Sequence, residues 1–250
     1  MSSQSPMISL VLPAYNESAS LPVTISRLAR QLNELVEDYE IIIVDDGSSD
    51  GGRPTFAEAE IRMIRHPVRM GKGAALRSGI KECAGRYIAY TDADLPIDPS
   101  SIALAIGVAQ QNPSALVLGD RRHPQSVTVG RGPASRRLTS WLFSVFTRAT
   151  VLPDLRDTQC CLKVASSARL KPIAASVATD GYSFDVELIY LAKKAGMTIV
   201  ASPVVWRDIR ADLGLMRAFR LLGLMIGDVW RTARRHDTLR SLIAARFRPA

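Results

Sequence analysis

The chain has 250 residues, 47% of them hydrophobic, enough to bury a sizeable core as one large domain or two intimate halves, so a compact globular protein is expected. Its net charge of +8 is concentrated: residues 121–148 hold six arginines and no acid, residues 207–250 hold ten arginines against four aspartates, and the remainder is net acidic. That segmentation points to an anionic partner met by one face, whether phosphate groups, an acidic membrane surface or nucleic acid, with a solvated basic face as the alternative.

In chain order, "MSSQSPMISLVLP" runs directly into an apolar strand at 8–12 that ends at Pro13, without a signal-peptide pattern, so a cytoplasmic location is expected. Helical spacing through Leu21, Ile25, Leu28, Leu32 and Leu35 predicts a helix over 20–38. The run "EIIIVDD" is continuous and β-branched, as in a parallel strand covered on both faces. A Gly/Ser turn, a short helix near 55–60, a strand at 61–64 and a helix from about 73 to 83 follow. Strand 87–90, helix 101–110 and strand 115–118 complete a first half over 1–120. A second half is assigned to 121–210 and an amphipathic helix with a basic tail to 211–250. The alternation predicts an α/β fold, a doubly wound, mainly parallel sheet flanked by helices, with C-terminal amphipathic helices. Three cysteines, Cys83 and the adjacent Cys160 and Cys161, form neither a spaced metal set nor an even disulfide framework, and read as reduced structural thiols.

Ligands of such sheets sit at the carboxyl ends of the strands, and acids recur there: Asp45 and Asp46, Asp92 and Asp94, and Asp120. Carboxylates at i and i+2 of an extended segment point the same way, so Asp92 and Asp94 can share one hard divalent cation and leave positions for substrate phosphate. The alternative is a helix-capping turn, because "DADLPIDPSS" precedes a helix that Asp98 or Ser100 could cap. "GKGAAL" at 71–76 is neither a dinucleotide fingerprint, since Leu76 stands where a third glycine or alanine belongs, nor a P-loop. It is a glycine turn at a helix N-terminus carrying Lys72, with Arg69 just before it, suited to face an anion.

The segments "VLPAYNE", "IIIVDDGSSDG", "GKGAALRSGI" and "YTDADL" occur in this order at strand–helix junctions and together resemble the family-two inverting glycosyltransferases of the GT-A fold. "LRDTQCCLKV", "YSFDVELIYLAKKAG" and "VVWRDI" resemble the dolichyl-phosphate and polyprenyl-phosphate glucosyltransferase branch, and the likeness covers roughly residues 7 to 230. The resemblance implies that Pro13, Ala14, Tyr15 and Glu17 line the nucleobase and ribose pocket with Asp45 and Asp46, Asp46 being the preferred base contact. Capping of the "DDGSSD" turn is the other reading for Asp45 or Asp50. It implies further that Arg69 and Lys72 border the nucleotide, with Gly71 and Gly73 allowing close backbone approach. Asp92, with Ala93, then lies near the ribose and metal, and Asp94 is the principal ligand of Mg2+ or Mn2+. Mannosyl-transferring relatives commonly carry a glutamine two residues after the second Asp; Pro96 stands there in this chain, which weakens a mannose reading.

A sugar hydroxyl acceptor needs a general base, whereas a lipid phosphate, whose second pKa is ~6, already offers an oxyanion at neutral pH. The protein must then supply cations, and Arg121, Arg136 and Arg137 are the candidates, with Arg131 a weaker one. Asp157 and Gln159 either touch the donor sugar or brace the active-site loop. Asp185 and Glu187 either complement a helix dipole or, for Asp185, orient sugar hydroxyls or an active-site arginine. The stretches 136–152 and 213–235 mix aromatics, aliphatics and arginine without an uncharged run long enough to span a bilayer. They read as interfacial helices with Trp141, Phe143, Phe219 and Trp230 at the acyl boundary, or as amphipathic helices packed on the core.

The expected activity is metal-dependent, inverting transfer of a hexose from a nucleotide diphosphate sugar, UDP-glucose foremost, to a polyprenyl phosphate at the inner face of an anionic membrane surface. GDP-mannose or a UDP-N-acetylhexosamine are the alternative donors. A nucleotidyltransferase would carry a basic glycine-rich loop where "PAYNES" stands, and a nucleic-acid-binding module leaves the acidic strand ends without a purpose, so no nucleic-acid partner is expected. A catalytically silent scaffold is the remaining alternative.

Overall fold

The computed structural model describes residues 7–36, 38–51, 56, 60–130, 132–208 and 214–238. The elements run β1 (Ile8–Ala14), α1 (Leu21–Leu35), β2 (Tyr39–Asp45), β3 (Ile61–Arg65), α2 (Lys72–Glu82), β4 (Tyr87–Tyr90), α3 (Pro99–Gln111) and β5 (Ala115–Asp120). They continue through β6 (Val127–Val129), α4 (Ala134–Thr150), β7 (Lys163–Ser166), α5 (Ser167–Ser176), α6 (Phe184–Lys194), β8 (Thr198–Pro203), β9 (Val205–Arg207) and α7 (Leu215–Arg235). The expected short helix near 55–60, Arg131 and the tail from 239 lie wholly or largely outside the described residues.

The central sheet has the order β3-β2-β1-β4-β7-β5-β8, and β6 and β9 form a separate parallel pair. All neighbouring strands of the large sheet are parallel except β7, which runs antiparallel to both β4 and β5. Both faces are covered. Ile42 and Val44 of β2 join a core with α2, α5, α6 and α7, while Ile41 and Ile43 of the same strand join one with α1 and α3. That two-sided burial is why β2 reads as an unbroken apolar run. The fold is the α/β arrangement expected, with helices flanking a mainly parallel sheet.

Two element boundaries depart from expectation for physical reasons. β1 continues through Pro13 to Ala14, because its pairing with β4 ends at Val11 and the missing Pro13 N–H falls on the side that β4 has already left. α1 stops at Leu35, where Val36 turns to extended backbone. The glycines at 71 and 73 give close backbone approach, but to the chain's own segment 179–180. Gly73 and Ala74 donate their amides to the Asp180 carbonyl at 2.7 and 3.3 Å, so the N-terminus of α2 is already filled from within.

α7 packs on α4 and α6, burying Ala218, Leu222, Val229 and Ala233 and leaving Leu215, Met216, Phe219, Leu224 and Trp230 exposed. Glu187, fully buried on α6, fastens its far end by accepting from Arg235 Nη1 at 2.7 Å and pairing with His236 Nε2 at 3.0 Å. Its other oxygen accepts the Thr179 amide at 2.9 Å and the Thr179 hydroxyl at 2.6 Å. Burial raises the Glu187 pKa, but these donors and the Arg235 charge outweigh it and hold the carboxyl below its ordinary value of 4.5.

A folded-state pKa below 4.5 means that the Glu187 contribution is present above that pH and fades as pH falls through the depressed value, so acid titration of Glu187→Gln followed by denaturant unfolding should show a shallower loss below 4.5 than the parent. A methyl added at Gly73 would sit 2.5 Å from the Thr179 carbonyl oxygen, so Gly73→Ala should cost ~1–3 kcal/mol in chemical denaturation.

Candidate active site

A cavity of about 800 Å3 opens at the carboxyl ends of β1, β2, β4 and β5 and is roofed by α4 and α7. Pro13, Ala14, Tyr15 and Glu17 form one wall, with the Arg69 guanidinium 4.0 Å from the centre of the Tyr15 ring. Asp46, Lys72, Asp92, Ala93 and Asp94 form the floor. Arg121, Arg136, Arg137 and Gln159 border the opposite side, together with Trp206. The roof is largely apolar: Trp141 and Phe143 come from α4, where Thr139 and Ser140 accompany them, and Leu221, Leu222 and Met225 from α7.

Local hydrogen bonding explains how the floor is held. Asp94 lies in a turn closed by Leu95 N donating to Asp92 O at 3.0 Å, with Leu95 at φ 44°. The segment is therefore not extended as expected; the turn replaces strand geometry, and both carboxylates still border the same cavity. Capping of α3 falls to Asp98, one of the two candidate caps, which accepts the Ser100 amide at 3.2 Å. Lys72 Nζ sits 2.5 Å from Asp92 Oδ1. Burial works against that ammonium, yet the carboxylates of Asp92 and Asp185 outweigh it and raise its pKa, so Lys72 is a permanent cation at the floor.

Asp46 borders the cavity, but its carboxylate is engaged within the chain. It accepts the Met70 and Gly71 amides at 2.8 Å each and pairs with His66 Nδ1 at 2.9 Å. Asp46 thereby straps segment 70–71, and with it Lys72, toward β2. Asp45 is off the cavity wall: it accepts the Ser48 amide at 2.9 Å and faces Arg65 at 3.4 Å, which makes it the turn-capping member of the pair. Asp50 likewise ties down Ser18 N at 2.9 Å.

On the basic side, Arg121 Nε and Nη2 each lie 2.7 Å from the Asp157 carboxylate, a bidentate fork, while its guanidinium stacks 4.8 Å from the Trp206 ring centre. Burial raises the Asp157 pKa, but the fork from Arg121 prevails and holds it below the ordinary value. Asp157 therefore braces Arg121, a partner not anticipated for it, and also holds its own loop by accepting the Gln159 and Cys160 amides. Gln159 reaches the cavity itself, and its Nε2 is buried with no hydrogen-bond partner among the described residues. Arg136 lies 3.7 Å from Asp208, and Arg137 is exposed at the mouth.

Asp185 does not reach the cavity. Its Oδ1 lies 2.7 Å from Lys163 Nζ and accepts the Tyr90 hydroxyl at 2.7 Å, and all three side chains are essentially inaccessible to solvent. Neither a sugar hydroxyl nor an active-site arginine is its partner; the buried lysine is. The sequence signal for that lysine is a single charge inside the apolar run "CCLKVA". Trp206, Tyr182 and the aliphatic residues of α7 also line the cavity, and only their apolar character marked them in the sequence.

The family model described as glycosyl transferase family 2 matches residues 9–176. The dolichyl-phosphate beta-glucosyltransferase of Dictyostelium discoideum is 29% identical over 218 residues, covering 81% of this chain and 67% of that protein. The human dolichyl-phosphate beta-glucosyltransferase is 28% identical over 223 residues, covering 82% and 68%. Among solved structures, glucosyl-3-phosphoglycerate synthase from Mycobacterium tuberculosis in complex with Mn2+, uridine diphosphate and glucosyl-3-phosphoglycerate superposes with a TM-score of 0.65 at 21% identity, covering 91% of this chain and 80% of that one. With that sheet and a cavity at its carboxyl edge, the chain belongs to glycosyl transferase family 2 and is a nucleotide-sugar-dependent transferase.

Proposed function

We propose that the chain transfers glucose from UDP-glucose to a polyprenyl phosphate, giving a β-linked lipid-phosphate sugar and UDP. The observation that carries this reading is the polarity of the cavity, which passes from carboxylates at Asp92 and Asp94, through Arg121, Arg136 and Arg137, to an apolar roof of Trp141, Phe143, Leu221, Leu222 and Met225. A soluble sugar acceptor has no use for that roof, whereas an isoprenoid phosphate matches both its charge and its greasy end. The names of the Dictyostelium and human relatives point the same way.

The donor diphosphate belongs at the acidic floor, with Tyr15 and Arg69 beside the base and Lys72 beside the phosphates. Two carboxylates supply hard oxygen donors suited to Mg2+ or Mn2+, and no group of three potential protein ligands occurs among the described residues, so diphosphate oxygens and water would complete the shell. The mycobacterial synthase structure, with Mn2+ and uridine diphosphate, supports a divalent ion in this role. When bound, the ion offsets the charge that develops on the departing diphosphate.

The remaining chemistry rests on the chain's own residues. Arg136 and Arg137 stand in the first turn of α4, where the helix dipole disfavours cations, and an acceptor phosphate relieves that conflict. Arg121, forked by Asp157, directs its remaining N–H donors toward the same phosphate. A phosphate oxygen attacks the anomeric carbon opposite the diphosphate, the new C–O bond forms as the C–O bond to the diphosphate breaks, and an α-linked donor gives a β-linked product. No proton has to be removed, because the acceptor phosphate is already an oxyanion at neutral pH.

The outer faces of α4 and α7 present Leu138, Val145, Met216, Phe219, Leu224 and Trp230 to solvent among arginines, with Trp141 exposed at the cavity rim, a composition suited to an anionic membrane surface. No helix among the described residues is long and apolar enough to cross a membrane.

The test is a transfer assay with a short polyprenyl phosphate and labelled UDP-glucose, UDP-galactose, UDP-N-acetylhexosamines and GDP-mannose, each with Mn2+, Mg2+ or chelator. Metal-dependent label in the organic phase from UDP-glucose alone is expected, and lipid product from another donor, or from none, overturns the substrate assignment. Asp94→Asn should lower transfer by roughly 10²–10³-fold without unfolding the protein; an unchanged rate would remove Asp94 from the site. Arg137→Ala should raise the KM for the lipid phosphate and leave that for the donor unchanged.

A further inference from the structure

Lys163 opens β7 with only 1% of its surface exposed. Asp185, 2.7 Å away, supplies the countercharge, and Tyr90, opposite Lys163 in the β4–β7 ladder, donates its hydroxyl to the same Asp185 oxygen. The ammonium has two further acceptors, the carbonyls of Thr158 at 3.1 Å and of Cys160, which lie in the loop entering β7. That loop is gripped from its other side as well. Asp157 Oδ1 accepts the amides of Gln159 and Cys160 at 3.3 and 3.1 Å while forking Arg121. The peptide groups of 158–160 are therefore held by Lys163 through their oxygens and by Asp157 through their nitrogens.

A buried ion pair of this kind is a poor source of net stability, because desolvating both ions offsets their attraction. An apolar side chain in a four-residue strand would fill the same space. What an apolar residue cannot do is bind two loop carbonyls beside the Asp157–Arg121 fork.

We infer that Lys163 is a positioning residue for transfer: its ammonium sets the 157–160 loop and, through Asp157, aims the Arg121 guanidinium at the acceptor phosphate. The inference rests on the reaction proposed above. Lys163 does not border the cavity, so its removal acts chiefly on acceptor use through Arg121; its link to the donor floor is the indirect one through Asp185, whose charge acts on Lys72.

The experiment is a double-mutant cycle in the full chain, reading kcat and KM for polyprenyl phosphate and the affinity for UDP, with Lys163→Met, Arg121→Lys and both together. Lys163→Met is expected to lower kcat/KM for the lipid phosphate by roughly 10- to 100-fold while UDP affinity stays within about twofold. The double variant is expected to fall little below Arg121→Lys alone, because the two side chains act in series. Lys163→Gln, which keeps an N–H donor for the loop carbonyls, serves if the methionine variant does not fold, and is expected to retain more acceptor activity than it. Additive losses, or UDP affinity falling in parallel with transfer, would show a general structural role and overturn the inference. Failure of the parent protein to make any lipid-linked product overturns the reaction itself, and that control separates the two failures.

Discussion

A single reversed strand determines where the active-site groups can be. β7 runs antiparallel between β4 and β5, so its beginning lies at the edge where its two neighbours end. The loop that precedes it is thereby delivered to the carboxyl edge, beside the floor carboxylates that follow β4 and the arginine that follows β5. Had β7 been parallel, that loop would lie at the opposite edge. Lys163 marks the crossing point, opposite Tyr90 on one side and Leu118 on the other, and its charge is tolerated there only because Asp185 and two carbonyls surround it.

The cavity is electrostatically graded, and several of its charges are moderated by a neighbour. Lys72 stands against Asp92, Arg121 against Asp157, and Arg136 near Asp208. Such pairing keeps the cavity from accumulating like charge while leaving donors and acceptors fixed in direction. Rigid, already oriented dipoles are what a transfer between two anions needs, since reorganisation at the moment of reaction would be costly.

The sheet and its acidic edge were legible because a continuous β-branched run that stops at aspartates suits little besides a buried parallel strand reaching a polar edge. Asp92, Asp94, Arg121 and Lys72 were found by their place at strand or helix ends, and all border the cavity. Turn capping by Asp45 was one of the two readings its local pattern allowed, since its partner is the Ser48 amide three residues on; the fates of Asp46 and Asp185 were not legible, because each is decided by a partner that local pattern does not reveal. Tyr90 and Asp185, for example, are 95 residues apart. β7 itself was hidden for a related reason: four residues opening with a lysine do not look like the inside of a sheet until the countercharge is known. The extended geometry assumed for residues 92–94 failed because Leu95 adopts a positive φ that closes a turn, which a leucine does not announce.

The roof of the cavity comes late in the chain. Asp46, Lys72, Asp92 and Asp94 all belong to the first hundred residues, whereas Leu221, Leu222 and Met225 belong to α7, the last of the described helices. On the ribosome, at ~5–20 residues per second, an interval on the order of ten seconds therefore separates synthesis of the floor from synthesis of the roof. During that interval the apolar inner side of α4 has no α7 to cover it, and β7 must still enter between two strands already made. The nascent chain passes through a stage with an open, sticky half-site, and that stage, more than the finished protein, is where chaperone dependence and aggregation in overexpression would originate.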